Sequence, residues 1–148
     1  MLTAWAKTGG YHAENERTII IGELDSYKRR AYDGMLRARE SIFNILRPGT
    51  AFEDLYRAAA QVYTDYGFGD ILPGRVGHGI GCSAHEFPSL AMGNKIALKP
   101  GMVITVEPGL MDKGWGGVRH SDTVLITEEG YESLTKYNMG EISIQIRG

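Results

Sequence analysis

His78 and His85 stand seven positions apart in GRVGHGIGCSAHEFPSL, residues 74–90, a loop dense in glycine that closes on Glu-Phe-Pro. Imidazole nitrogens ligate divalent metals or move protons. The pair therefore admits a metal centre, an acid–base pair, or two polar residues beside a turn. Three further polar groups sit where an apolar run meets a glycine-rich turn. Glu107 ends MVITVE, immediately before Pro108-Gly109. GGVRHSDT, residues 116–123, sets Arg119, His120, Ser121 and Asp122 ahead of VLIT, and YHAENERT supplies His12, Glu14, Glu16 and Arg17 ahead of III. Imidazole and carboxylate together suit Zn, Mn, Fe or Co, and the same types suit acid–base work. Plainer readings stand beside these: the glycines of GHGIG can make a tight turn, and Ser-Asp-Thr can be turn residues. Cys82, between Gly and Ser, reads as a small packed residue rather than a nucleophile.

Strands and helices must position these groups. LTAWAKTGGYHAENERTIIIGE reads as two strands around Gly9-Gly10, with Ile19–Ile21 β-branched and continuous. From Asp25 to Leu46 the apolar residues Tyr32, Met35, Leu36, Ile42, Phe43 and Leu46 recur at helical spacing, and Arg47-Pro48-Gly49 stops that helix. Thr50 followed by Glu53 reads as a capping box for a second helix with Leu55, Tyr56, Ala59, Val62, Tyr63 and Tyr66 on its inner stripe. After Gly67 the texture changes to short strands between turns, including GMVITVEPG, SDTVLIT and the tail ISIQI. The expectation is an α+β domain with helices layered on one curved, mostly antiparallel sheet. No repeat or linker divides the chain.

Composition narrows the function. With 148 residues, 43% hydrophobic and 23% charged, the chain fits a single globular domain with a sizeable core. A formal net charge of −2 leaves no basic excess for a nucleic-acid backbone. No apolar run is long enough to span a membrane and no signal-peptide pattern is present, so a cytoplasmic protein is expected. The single cysteine excludes an internal disulfide framework.

The runs GHGIGCSAHEFP, LKPGMVITVEPGL and GGVRHSDTVLITEEG, in this order and spacing, closely resemble the pita-bread superfamily, which includes Xaa-Pro aminopeptidase, prolidase, methionine aminopeptidase and creatinase. The resemblance runs from about Leu2 to EEGYESLT and implies residues 1–148 are one partial catalytic domain, the later part of the family's domain, truncated at the amino end. It implies His78 as a metal ligand and His85 as the histidine that assists the substrate carbonyl. It implies Glu107 as the carboxylate that binds metal and handles the proton of the attacking water.

The family's five ligands to two metal ions are two Asp, one His and two Glu. At the corresponding places this chain has Thr3, Glu14, His78, Glu107 and Ser121. Two ions within ~4 Å of each other need several anionic oxygens, so the resemblance implies one divalent ion (Mn, Zn or Co) on Glu14, His78 and Glu107, with His120 as a further ligand, or no ion at all. Three functions follow. One is a prolidase- or aminopeptidase P-type hydrolase of a peptide or amide C–N bond with a degenerate metal site. Another is a metal-independent, creatinase-like amidohydrolase whose Arg119 and His120 grip a substrate carboxylate. The third is a non-catalytic binding module. Because the first strand pair and part of a helix face lack their usual covering, a homodimer through residues 1–22 or helix 25–46 is expected. The tail EISIQIRG is the alternative cover for that edge.

Overall fold

The computed structural model describes residues 1–137 and 140–144. In chain order the elements are β1 (Leu2–Thr8), β2 (Tyr11–Arg17), β3 (Ile20–Ile21), α1 (Ser26–Asn44), α2 (Phe52–Asp65) and a 3-10 turn (Gly69–Ile71). They continue with β4 (His78–Gly79), β5 (Glu86–Ser89), β6 (Val103–Val106), β7 (Gly109–Asp112), β8 (Gly116–Arg119), β9 (Asp122–Ile126), β10 (Tyr131–Ser133) and β11 (Ser143–Ile144). The central sheet runs β10-β9-β6-β4-β5, antiparallel throughout, and β1-β2 and β7-β8 are separate hairpins. The expected combination of two helices with a mostly antiparallel sheet is what forms.

In the β1-β2 hairpin, Thr3 faces Glu16 and Trp5 faces Glu14. The two-residue period of a strand therefore puts Thr3, Trp5, Glu14 and Glu16 on one face and Ala4, Ala6, Ala13 and Arg17 on the other. β1 is exposed along its whole length, whereas Glu14, Glu16 and Arg17 of β2 are buried. The burial arises because β2 lies against the start of β9. Glu16 and Ser121 exchange backbone hydrogen bonds, and the Thr123 hydroxyl bonds both the N–H and the C=O of Glu14.

Helix α1 begins one residue after Asp25, whose carboxylate accepts from the Lys28 N–H at 2.8 Å. Its buried stripe, including Ala31, Tyr32, Met35, Ala38, Ile42 and Phe43, has the expected helical spacing. The capping box expected at α2 does not form. Ala51 is the cap residue, and the Thr50 hydroxyl donates to the Ile45 carbonyl near the end of α1. The N–H groups of Phe52 and Glu53 are bonded instead by the carbonyls of Ile96 and Asn94, a partnership between distant segments that no local motif encodes. Both helices pack into one core with Val76, Leu90, Leu98, Ile104, Val106, Leu110 and Val124.

Of the expected strand Ile19–Ile21 only Ile20–Ile21 pairs, in parallel with Ser143–Ile144 of the tail. The rest of the predicted tail strand, Gln145 and Ile146, lies outside the described residues. The tail thus covers β3 and not β1, and among the described residues the outer edge of β1 has no partner. No helix among them is long and apolar enough to cross a membrane.

Candidate metal centre

Four segments bring the polar groups together. Val103–Val106 carries Glu107 to the end of the central sheet, where its N–H bonds the Val76 carbonyl at 2.9 Å. Next to it, Gly77 passes so close to β6 that a Cβ there would lie 2.1 Å from the Thr105 carbonyl oxygen, so only glycine fits. This approach seats His78, whose N–H donates to the Thr105 hydroxyl at 3.0 Å. Glu14 enters from β2, and its Oε1 accepts a short hydrogen bond from the Ser121 hydroxyl.

The resulting cluster is buried: Glu14 is 2% exposed, His78 0% and Glu107 8%. His78 Nδ1 lies 2.8 Å from its neighbour's Gly79 carbonyl, an acceptor, so that nitrogen carries the proton and Nε2 presents a lone pair. Nε2 is 3.7 Å from Glu14 Oε2 and 3.5 Å from Glu107 Oε1. Neither His78 Nε2 nor Glu14 Oε2 has a hydrogen-bond partner. One ligand atom from each of Glu14, His78 and Glu107 falls within 4.8 Å of the others. Three acceptor atoms converge here, two of them without any hydrogen-bond partner, an arrangement that a cation resolves. The donor set of one imidazole and two carboxylates fits a first-row divalent ion.

The electrostatics agree. Burial, and then the charge of Glu14, pushes the Glu107 carboxyl up to about 7. Burial also raises Glu14, although the Ser121 hydrogen bond partly offsets it, and burial pushes His78 down to about 4. Each group resists its charged form because charges are crowded out of water.

His85 completes the cleft from β5's side. This exposed residue sets its ring tilted by 38° against His78 with centroids 4.3 Å apart, and the Trp5 ring of β1 meets it, also tilted, at 5.7 Å. The turn between the two histidines thus brings both rings to one place. Arg119 reaches the same cleft from the end of β8, with Nη1 4.0 Å from Glu107 Oε2. Its guanidinium is already engaged: Nη2 donates to Glu16 Oε1 at 2.7 Å and Nε contacts Glu16 Oε2. Glu16 also accepts from the Thr3 hydroxyl at 3.0 Å.

Two sequence expectations are corrected. His120 does not line the cleft. It is 0% exposed and its ring meets Tyr32 of α1 edge-on at 5.9 Å, so it can neither grip a substrate nor reach the metal ligands. The alternation that turns Arg119 and Ser121 toward the cleft turns His120 into the core. Cys82, read as a packed residue, is exposed. Three cleft residues went unassigned from sequence: Glu16, Trp5, and Arg75, whose Nε lies 3.6 Å from Glu107. Two-residue spacing from Glu14 was the available signal for Glu16. Trp5 needed the hairpin register, and Arg75 had no signal. A cavity of about 620 Å³ includes Ala6, Tyr11, Ala13 and Phe87 in its lining and lies on the other face of β1-β2.

A family model for the metallopeptidase family M24 matches residues 1–128. The chain is 39% identical over 126 residues to the Xaa-Pro dipeptidase of Pyrococcus furiosus, covering 85% of this chain and 36% of that protein. It is 39% identical over 127 residues to an uncharacterized peptidase of Staphylococcus saprophyticus, covering 86% and 36%. Among solved structures, the prolidase from Pyrococcus furiosus superposes with a TM-score of 0.86 at 37% identity, over 90% of this chain and 40% of that one. The dipeptidase PepE from Mycobacterium ulcerans gives 0.87 at 31% identity, over 93% and 37%. The chain therefore spans little more than a third of these relatives' length, within the pita-bread fold. With its three converging acceptors seated on that fold, the chain belongs to the metallopeptidase family M24.

Proposed function

We propose that this chain provides the metal-binding part of an Xaa-Pro peptidase of the prolidase type, which hydrolyses the peptide bond preceding a proline. The observation that carries this reading is the convergence of Glu14, His78 and Glu107, all buried, with Glu14 Oε2 and His78 Nε2 lacking any hydrogen-bond partner, beneath the ring of His85. Glu14, His78 and Glu107 hold a single divalent ion. When bound, the ion supplies Lewis-acid polarisation of the scissile carbonyl. Thr3 and Ser121 act as hydroxyl donors that steady Glu16 and Glu14 rather than as carboxylate ligands. Glu107, at the sheet end and open to the cleft, takes the proton of the attacking water and passes it to the departing proline nitrogen. His85, exposed at the cleft, donates a hydrogen bond to the carbonyl oxygen as negative charge gathers there.

The relatives named Xaa-Pro dipeptidase and prolidase support a peptide substrate over a creatine-like one. The test is release of proline from Ala-Pro by protein loaded with Mn, Zn or Co. Turnover that requires the divalent ion, stops with chelator and disappears in His85→Ala with metal content unchanged is expected. No proline released with any of the three ions would refute the assignment.

A further inference from the structure

We infer that Arg119 is a built-in cation of the metal centre, held by Glu16 so that the site accepts one divalent ion and refuses a second. The inference rests on the single-ion reading above and explains what enforces it. Three carboxylates meet in the cluster: Glu14 and Glu16 at 2% exposure and Glu107 at 8%. One guanidinium lies among them. Three negative charges and one positive leave two negative charges, which a single divalent ion neutralises. Charges excluded from water require such compensation, and a further divalent ion would leave the cluster with a net positive charge. Arg75 does not alter the count in the same way, because its side chain is 41% exposed and water screens it.

Geometry makes Glu16 the decisive partner. It lies two residues from Glu14 on the same strand face, directly opposite Thr3. Unengaged, it would offer the cleft another carboxylate beside Glu107. Instead both of its oxygens face Arg119: Oε1 accepts hydrogen bonds from Thr3 and from Arg119 Nη2, and Oε2 is in ion-pair contact with Arg119 Nε. The pose is fixed from behind. The Arg119 N–H donates to the Thr18 hydroxyl at 2.9 Å, and Gly109 leaves room for the arginine stem, since a Cβ there would lie 2.9 Å from Arg119 Cβ. A guanidinium held this way is a positioning and charge-balancing group. To grip a substrate carboxylate it would first have to release Glu16.

Calorimetric titration of metal-free protein with Mn, paired with elemental analysis, separates these roles without measuring activity. Wild type is expected to take one ion per chain. Arg119→Gln frees Glu16 and Glu107 and leaves three negative charges, so a second ion overshoots neutrality by one charge rather than two and binds weakly, and the double variant Arg119→Gln with Glu16→Gln returns to one. Arg119→Lys keeps the positive charge while losing the forked contact, and stays at one. Glu16→Gln alone leaves the guanidinium uncompensated beside the ion and weakens the single site by about tenfold. Thermal melts accompany each variant, and the Glu16→Gln and Arg119→Lys results stand as tests if Arg119→Gln fails to fold. Two ions bound by wild type, or one ion of unchanged affinity in both Arg119→Gln and Glu16→Gln, would overturn the inference. Wild type that takes no ion would remove the single-ion centre itself, whereas one ion with no proline release would sink the peptidase reading and leave this inference standing.

Discussion

Two buried charge clusters sit back to back in this molecule, and their difference locates the site. Strand alternation sends Glu14, Glu16 and Ser121 to one face, and Arg17 and Asp122 to the other. On the second face Asp122 is 0% exposed and saturated: it accepts from Arg17 at 2.5 Å, Arg39 at 2.7 Å and Thr135 at 2.8 Å. Arg17 also donates to the carbonyls of Glu16 and Ser121. On the first face Glu14 Oε2 and His78 Nε2 are equally buried and unpaired. Burial is common to both clusters, so burial does not mark function. Saturated charge pairing marks the brace, and a buried carboxylate oxygen facing an unpaired imidazole lone pair marks the site, whereas the unpaired nitrogens of His120 stand alone in the core.

The sharpest way to break this comparison is to delete one residue from each face. His78→Ala should abolish tight divalent binding and lower peptidase activity at least about 1000-fold, because a ligand and its lone pair disappear. Metal-free His78→Ala should lose about 2 kcal/mol in denaturant melts, from the cavity left by the ring and the Nδ1 bond to the Gly79 carbonyl, because Nε2 had no partner to lose. Asp122→Ala should do the opposite. It leaves two buried guanidinium groups without their shared carboxylate and should destabilise by about 3–5 kcal/mol, read as a fall of roughly 10 °C or more in melting temperature. If both variants lose stability equally, the distinction between brace and site fails.

A pH series sharpens the same contrast more gently. Burial, and then the charge of Arg17, pushes the His120 imidazole down to about 4, with the Thr18 backbone partly offsetting them. The unfolded chain therefore binds a proton near pH 6.5 that the folded chain refuses until about pH 4. Stability from this group is fully present above pH 6.5 and falls as pH drops toward 4, by up to about 3 kcal/mol. Asp122 acts with the same sign at lower pH. Burial opposes its charge, but Arg39 and Arg17 overcome that and hold its carboxyl below the usual range, so its contribution is lost only as acid protonates it. Urea melts of His120→Phe between pH 7 and 4 should be flatter than those of wild type. A parallel pair of curves would show that the imidazole is not the titrating group.

The smallest expected effect concerns the outer hairpin. Leu2, Trp5 and Tyr11 are 63%, 47% and 63% exposed on a strand pair whose outer edge has no partner among the described residues. We expect a concentration-dependent dimer through residues 1–22, which light scattering at micromolar protein would detect and Leu2→Lys would weaken. A stable monomer over that range would count against it.

Much of this was legible in the chain itself. The period of apolar residues gave α1, the glycine pair gave the first hairpin, and the peptidase-like motifs pointed to His78, His85, Glu107 and Glu14. Periodicity and local chemistry act over a few residues, and one sequence displays them. What escaped depends on contacts between segments far apart. The start of α2 is satisfied by carbonyls of residues 94 and 96 rather than by Thr50. His120, chemically suited to a site, was claimed by the core because the register of β8 and β9 turns it toward Tyr32. Glu16 and Arg119 became a pair because strands some hundred residues apart meet at Ser121. Sequence by itself determined which chemical groups exist and which elements carry them. Only the tertiary structure decided which charges meet a partner and which are left open to a metal, because that depends on strand register and on distances of a few ångströms between remote segments.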